Sequence, residues 1–374
     1  MKILLVGNYP NDQSTSMPRF VEMLRREMTL RGHQVTVLNP SVLLGRLGIN
    51  GASRKWLGYV DKFLLFPFVL GRWSRREWDA IHVCDHSNSM HLRHLVGDVT
   101  PSITCHDLLA VFAAEGRFPG VTVSSTGRIL QGWIRRNLAQ ARRVVCVSSK
   151  TAQDLQELGL RPGSEVRVIG NPLNNPFAPS DRDLIASVRV KAGIPENTPY
   201  LLHVGNNSWY KNRPGVLRIF AALRLHPGFE RFQLVMAGRP WTEEMKRVAS
   251  ELNLGDTVIE LDGPSDLEIA ALYTGAEALL YPSLEEGFGW PILEAQNCGC
   301  AVITSNREPM TEVAGCAAIF VDPANPSASV REIVRRWPEL PALRQNGIQN
   351  ARRFDRIAMM DKYEQFFQEG RGNR

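Results

Sequence analysis

The segment from Tyr281 to Thr304, YPSLEEGFGWPILEAQNCGCAVIT, carries the most chemistry in this 374-residue chain. Gly287 and Gly289 form a loop that feeds a helix. Pro291 sits near the first turn of that helix, where a missing N–H does no harm. Gly299 marks its end. A glycine loop at a helix start presents free amides and a positive dipole end, which suits a phosphate. Glu286 stands before the loop and Glu294 inside the first helical turns. Each carboxylate can accept from several hydroxyls of a sugar or ribose. On the residues alone, Glu286 reads equally as a solvated loop acid beside Glu285. Glu294 reads equally as an acid that favours the helix dipole.

Lys211 and Arg213 precede Pro214, so both cations stand at a second helix start fit for an anion. As a bland alternative they are an exposed cationic pair. His106-Asp107 follows an apolar run and ends a strand; the other reading of His106 is a turn cap. His82, His86, His91 and His94 with Asp85 are the one metal-like cluster, but their spacing matches no zinc motif. No metal is expected. Asp85-His86-Ser87 is instead a candidate acceptor contact. Ser14 and Ser16, in the loop after the first strand, could offer ligand contacts or simply cap a helix. Cys298-Gly-Cys300 is too tight for a zinc pair and reads as small buried thiols.

These residues need strand ends to hold them. Short β-rich runs alternate with helical periodicity along the whole chain, the pattern of parallel βα units. Strands are expected at 2–6, 34–38, 80–84, 102–105, 144–147 and 166–169, then at 200–204, 232–237, 257–261, 278–281, 301–304 and 317–321. Each set makes a doubly wound sheet. Three prolines in residues 171–180 read as a linker. The expected domains are 1–175 and 176–354, both Rossmann-like and facing across a cleft. A last helix at 355–374 is expected to cross back to the first domain.

Composition narrows the function classes. Hydrophobic residues make up 44% and charged residues 22%, an ordinary globular balance. Six cysteines, none in a Cys-x-x-Cys pair, exclude a disulfide scaffold and read as reduced thiols. The MKILLVGNYP start reads as a buried strand rather than a leader. The longest apolar run, 63–70, is too short to span a bilayer, which takes about 20 residues. A cytoplasmic protein is expected. Residues 1–170 carry 22 Lys and Arg against 13 Asp and Glu, so the first half is basic and favours an anionic partner. Residues 54–76 interleave six basic residues with Trp56, Phe63, Phe66, Phe68 and Trp73. That segment is a core helix with a basic face, a peripheral contact with an anionic membrane, or a stacking surface for nucleic acid. No nucleic-acid recognition motif is present, and no nucleic-acid partner is expected.

The Glu286-to-Glu294 spacing, with EGFGWPILEA around it, resembles the E-x7-E signature of the family 4 retaining glycosyltransferases. HVGNNSWYKN at 203–212, LVMAGRPW at 234–241, IAALYTGAEALLYPS at 269–283 and NREPMTEVAG at 306–315 match in order. ITCHDL at 103–108 and VVCVSSKT at 144–151 extend the resemblance into the first half.

The resemblance implies a GT-B fold and transfer of a hexose, with retention and without metal, from a UDP- or GDP-sugar to a hydroxyl. No cofactor is implied beyond that donor substrate. Glu294 would bind the donor ribose and Glu286 the transferred sugar. Gly287, Phe288 and Gly289 would line the sugar and phosphate, with Gly238 and Gly263 flanking the base. Lys211 matches the family's diphosphate lysine. The usual arginine just after the strand glycine is Asn206 here, and Arg213 is expected to compensate. His106 would stabilise the reacting sugar, making His106, Glu286 and Lys211 the expected catalytic set. Ser14, Ser16, Asp85, His86 and Asp107 would touch the acceptor, a glycan or lipid-linked sugar in cell-surface glycan or glycolipid synthesis. Alternatives are a small-molecule or natural-product acceptor, or a GT-B sugar-nucleotide epimerase.

Overall fold

The computed structural model describes residues 1–12, 16–173 and 175–371. The Ser14 contact expected above lies outside the described residues. The chain divides into two compact units, Met1–Asn174 with Arg356–Arg374, and Asn175–Asp355.

The first unit holds β1 (Lys2–Val6), β2 (Gln34–Leu38), β3 (Ala80–Val83), β4 (Ser102–Cys105), β5 (Arg143–Cys146) and β6 (Glu165–Val168). They form one parallel sheet in the order β2-β1-β3-β4-β5-β6. β1, β3, β4 and β5 are buried along almost their whole length, as strands covered on both faces must be. That is why they read as continuous apolar runs rather than as alternation. The helix Arg356–Glu369 completes this unit. Its Met359, Met360, Tyr363, Phe366 and Phe367 pack with Ile3, Leu5, Phe20 and Leu24 in one buried cluster.

The second unit holds β7 (Tyr200–Gly205), β8 (Gln233–Gly238), β9 (Val258–Asp262), β10 (Ala278–Tyr281), β11 (Ala301–Ser305) and β12 (Ile319–Val321). Their order is β12-β11-β10-β7-β8-β9, again all parallel. In each sheet the winding reverses once, between β1 and β3 and between β7 and β10. Ligands of open α/β sheets bind outside the carboxyl ends at that reversal. The later part of the proline-rich run is not a free connector. Phe177 is buried with its ring edge-on to Tyr273, Asn175 donates to Asp266 at 2.6 Å, and Ser180 N–H donates to Thr274.

Residues 51–74 form a helix broken by a π turn at Asp61–Leu65. Such turns are rare and occur mostly as single insertions within α-helices. Here Asp61 is aimed inward, 1% exposed. It accepts from the amides of Leu43, Leu44 and Gly45 at 2.9–3.1 Å and from Tyr9 Oη at 2.9 Å. Burial alone would raise its pKa, but these four donors hold it below the usual carboxylate value.

His82, His91 and His203 are fully buried. His82 lies between Ser102 and Thr104 at 2.8 Å to each hydroxyl. His91 packs edge-on to Phe66, and His203 stacks on Tyr281. Burial, ahead of neighbouring positive charge, lowers each from 6.5 to about 3. The folded chain therefore binds fewer protons than the unfolded chain between those values, so stability is full above pH 6.5 and falls towards pH 3. Each histidine is expected to remove about 2 kcal/mol by pH 5. Urea unfolding at pH 7 and pH 5 measures this. Equal midpoints would contradict the buried, neutral assignment.

Candidate functional site

At the reversal in the second sheet, β7 and β10 deliver the side chains that resembled donor contacts. After Gly205 the chain turns through Asn206, whose Oδ1 accepts from Ser208 N–H at 2.9 Å. A short 3-10 turn, Trp209–Lys211, leads to Asn212 at φ +53°, and the helix Arg213–Leu223 begins there. Asn tolerates the left-handed region better than most residues. Its side chain donates to the carbonyls of Pro282 and Pro323 at 2.9 and 3.0 Å, so one residue fixes two neighbouring loops.

Lys211 thereby meets Glu286, Nζ to Oε1 at 2.7 Å. Tyr281, the last residue of β10, joins them. Its hydroxyl accepts from Lys211 and donates to Glu286 Oε1 at 2.5 Å. Glu286 is 7% exposed and Tyr281 fully buried. Burial, then the Glu286 charge, pushes the phenol well above its ordinary pKa, so it stays a donor. The lysine and glutamate are held against each other in a fixed geometry. Pairing and the extra phenol bond are what make burying two charges tolerable.

The loop after β10 is tied down on both sides. Leu284 N–H donates to Tyr210 O at 2.7 Å, and Thr304 donates to Tyr281 O at 2.9 Å. The helix Trp290–Asn297 starts from Gly289 at φ +98°, a conformation open to glycine at little cost. Phe288 is buried with its ring edge-on to Phe354, which sets the loop's depth. Glu294 accepts from Tyr273 Oη at 3.0 Å, and Tyr273 is itself buried. The two glutamates are thus each oriented by a buried tyrosine.

Arg213 differs from its sequence reading as a cation displayed at a helix start. It is 2% exposed and donates to Asn207 and, at 2.8 Å, to Arg239 O. Its Nε and Nη2 have no hydrogen-bond partner among the described residues, and burial lowers its pKa. Asn207 also donates to Pro240 O at 2.7 Å, so Arg213 and Asn207 brace the loop after β8. That loop leaves from Gly238, whose carbonyl accepts from Gly263 N–H at 3.0 Å. Gly238 and Gly263 therefore lie together at the ends of β8 and β9.

In the first unit, Asp85 follows β3 at the other reversal point. It is 5% exposed and accepts from Asn8 at 2.6 Å, and from Ser87 N–H and Oγ at 2.9 and 2.7 Å. Burial opposes its charge, but His86, His106 and these donors outweigh that and lower its pKa. His106 packs on Phe20 and sits 2.9 Å from Cys84 O through Nε2. That bond makes Nε2 the protonated nitrogen and leaves Nδ1 a buried lone pair without a partner among the described residues. Asp107 caps the next turn, accepting from Leu109 N–H at 3.0 Å, and Ser16 opens the helix Ser16–Leu30.

The histidine cluster is dispersed. His91 and His94 share the 3-10 segment His86–His94 rather than an α-helical face, with His91 buried and His94 accepting from Arg93. Among the described residues no three His, Cys, Asp or Glu side chains gather as a metal would require. Cys298 and Cys300 are buried thiols, and among the described residues no helix is long and apolar enough to cross a membrane.

Tyr281, Tyr273 and Asn212 escaped the sequence reading. A tyrosine closing an apolar strand just before Pro282 was the available signal for Tyr281. Nothing local marks Tyr273, which reads as one more aromatic on a buried helix face.

The chain matches the glycosyl transferases group 1 family over residues 185–354 and Glycosyltransferase Family 4 over residues 17–175. The O-antigen chain mannosyltransferase B of Escherichia coli is 26% identical over 290 residues, 75% of this chain and 72% of that protein. A D-inositol 3-phosphate glycosyltransferase of Thermobispora bispora is 29% identical over 229 residues, 57% of this chain and 53% of that protein, so the match spans about half that relative's length. Sucrose-phosphate synthase from Thermosynechococcus elongatus superposes with a TM-score of 0.76 at 19% identity, covering 99% of this chain and 98% of that one. HepE from Anabaena, solved with UDP and glucose, gives 0.73 at 16% identity over 99% and 100%. These structures share the GT-B fold. With one glycosyltransferase family matched in each unit and that fold carried by both sheets, the chain belongs to the glycosyltransferases.

Proposed function

We propose that this chain transfers a hexose, with retention and without metal, from a UDP- or GDP-sugar to a hydroxyl of a growing cell-surface glycan or glycolipid. The observation that carries this reading is the Lys211–Tyr281–Glu286 cluster at the carboxyl ends of β7 and β10, beside two helix starts. In it, the Lys211 ammonium and the amides at 287–290 receive the diphosphate. Glu286 accepts from hydroxyls of the transferred sugar, and Glu294, oriented by Tyr273, from the ribose. As the glycosidic bond to the diphosphate lengthens, negative charge grows on the leaving group and Lys211 stabilises it. Arg213 holds the loops around the donor rather than displaying its own charge. His106 stabilises the sugar's developing positive charge through its backbone carbonyl or ring, while Asp85, His86, Asp107 and Ser16 serve the acceptor. The mannosyltransferase relative and HepE's UDP and glucose support the substrate class.

A thermal-shift and hydrolysis screen over UDP-, GDP- and ADP-sugars, with and without EDTA, tests the reading. Stabilisation by one sugar nucleotide and EDTA-insensitive turnover to an anomerically retained product are expected. No stabilisation by any of them would overturn it. Incubation with donor alone separates transfer from epimerisation of the donor.

We further propose a peripheral membrane contact through residues 54–76. Phe68 is 79% exposed, Leu64 60% and Trp56 58%, and Arg54, Lys55, Arg72, Arg75 and Arg76 are exposed among them. Apolar side chains backed by cations suit an anionic lipid surface. Flotation with vesicles is expected to carry the protein only when anionic lipid is present. Equal flotation on neutral vesicles, or none on either, removes this contact.

A further inference from the structure

The chain that leaves β8 is fastened at every residue from Gly238 to Trp241. Gly238 O accepts from Gly263 N–H at 3.0 Å, Arg239 O from Arg213 Nη1 at 2.8 Å and Pro240 O from Asn207 Nδ2 at 2.7 Å. Trp241 N–H donates to Glu260 Oε1 at 2.6 Å. Main-chain atoms of the loop make all of these bonds, so they fix its path without using the Arg239 side chain. That side chain is exposed, and its guanidinium has no hydrogen bond or ion pair among the described residues. A long, uncommitted cation on a rigid loop is preorganised for an anion.

The same loop stands beside Lys211. Gly205 and Gly238 pair across the β7–β8 ladder. A Cβ on Gly238 would lie 1.9 Å from Gly205 O, and one on Gly205 would lie 3.6 Å from Lys211 Cγ. The two strand ends therefore meet as bare backbone, with the Lys211 stem against one glycine and Arg239 following the other. Glycine in such a place lets a ligand approach the main chain closely.

Charge at the donor end is out of balance. Glu286 and Glu294 bring carboxylates there, and the Lys211 ammonium is already paired with Glu286 at 2.7 Å. Arg213 is buried and bonded to the loop's own carbonyl. Each helix start adds only about half a positive charge. A sugar nucleotide brings the further negative charges of its diphosphate. We propose that Arg239 is the second cation of the donor site and binds that diphosphate from the β8 side. The proposal rests on the sugar-nucleotide reading above. Arg239, with no partner to give up, holds the charge that the diphosphate carries before reaction. Lys211 meets the charge that grows as it leaves.

Calorimetric titration of the full chain with UDP and with GDP, in low and in high salt, tests this. Whichever nucleotide binds, Arg239→Gln is expected to weaken it about tenfold in low salt, the scale of one charge-assisted bond. The gap is expected to narrow in high salt, which screens an exposed cation. Arg239→Lys keeps the charge and is expected to stay within about threefold of the parent. Donor hydrolysis by Arg239→Gln is expected to show a raised KM with kcat within about threefold, the reverse of a leaving-group residue. The unfolding temperature of both variants is expected to match the parent's, since the side chain is bonded to nothing in the fold. Parent-like nucleotide affinity of Arg239→Gln in low salt overturns the proposal and leaves the sugar-nucleotide reading standing. A loss that neither lysine restores nor salt narrows places Arg239 on the base and also overturns it. A chain that takes neither UDP nor GDP overturns the sugar-nucleotide reading itself.

Discussion

Lys211→Ala is expected to lower turnover about 100- to 1000-fold at saturating donor, with a smaller loss of donor affinity. The asymmetry follows from when the charge is needed. In the ground state Lys211 already bonds Glu286 at 2.7 Å and the Tyr281 hydroxyl, so part of its charge is spent. As the diphosphate departs, its growing charge draws on that ammonium more strongly, and removing such a preorganised donor costs about 3–4 kcal/mol. The same change strands Glu286, 7% exposed, without its cation. Tyr281→Phe is a milder companion, because the ion pair survives and only the phenol bridge is lost. Single-turnover kinetics with each candidate sugar nucleotide measure both variants. A Lys211→Ala enzyme that turns over within about threefold of the parent would remove the leaving-group role.

Gly238→Ala is expected to damage the second unit more than any other change at its donor end. Gly238 stands at φ +144°, and a Cβ there would lie 1.9 Å from the carbonyl oxygen of Gly205, its partner in the β7–β8 ladder. Backbone, not a movable side chain, stands in the way. Strain and overlap together cost at least about 3 kcal/mol, which lowers the unfolding temperature by about 6–12 °C. Gly228→Ala is the control, since it also has positive φ but nothing within 4 Å of its Cβ. A Gly238→Ala midpoint no lower than the control's would show that the two strand ends do not approach as described.

Strand positions were legible because both sheets are covered on both faces. A doubly buried strand such as ILLV or ALLY announces itself as a short apolar run, and β1, β2, β4 and β10 begin and end where the sequence placed them. Ends slipped by a residue or two where a residue outside the apolar run extends the ladder, as Arg143 does in β5 and Gly205 in β7. Glycine loops and helix starts were legible too, since Gly289 and Pro214 have local reasons to be there. The site's internal wiring was not. That Tyr281 bridges Lys211 and Glu286 depends on β7 lying beside β10, a pairing across 77 positions that no local pattern encodes. Arg213 shows the limit from the other side. Its place before Pro214 suggested an open cation, but its carbonyl partner comes from Arg239, beyond the neighbouring strand.

The helix Arg356–Glu369 has a consequence for how the chain is made. The second unit is spliced into the first, so its residues leave the ribosome as one uninterrupted stretch and can fold as they emerge. The first unit cannot. Until the helix Arg356–Glu369 arrives, the flank of its sheet that Met360, Tyr363 and Phe367 will cover stays open and greasy. Loss of the stretch that carries Met360, Tyr363 and Phe367 would therefore cripple the half of the protein that was synthesised first.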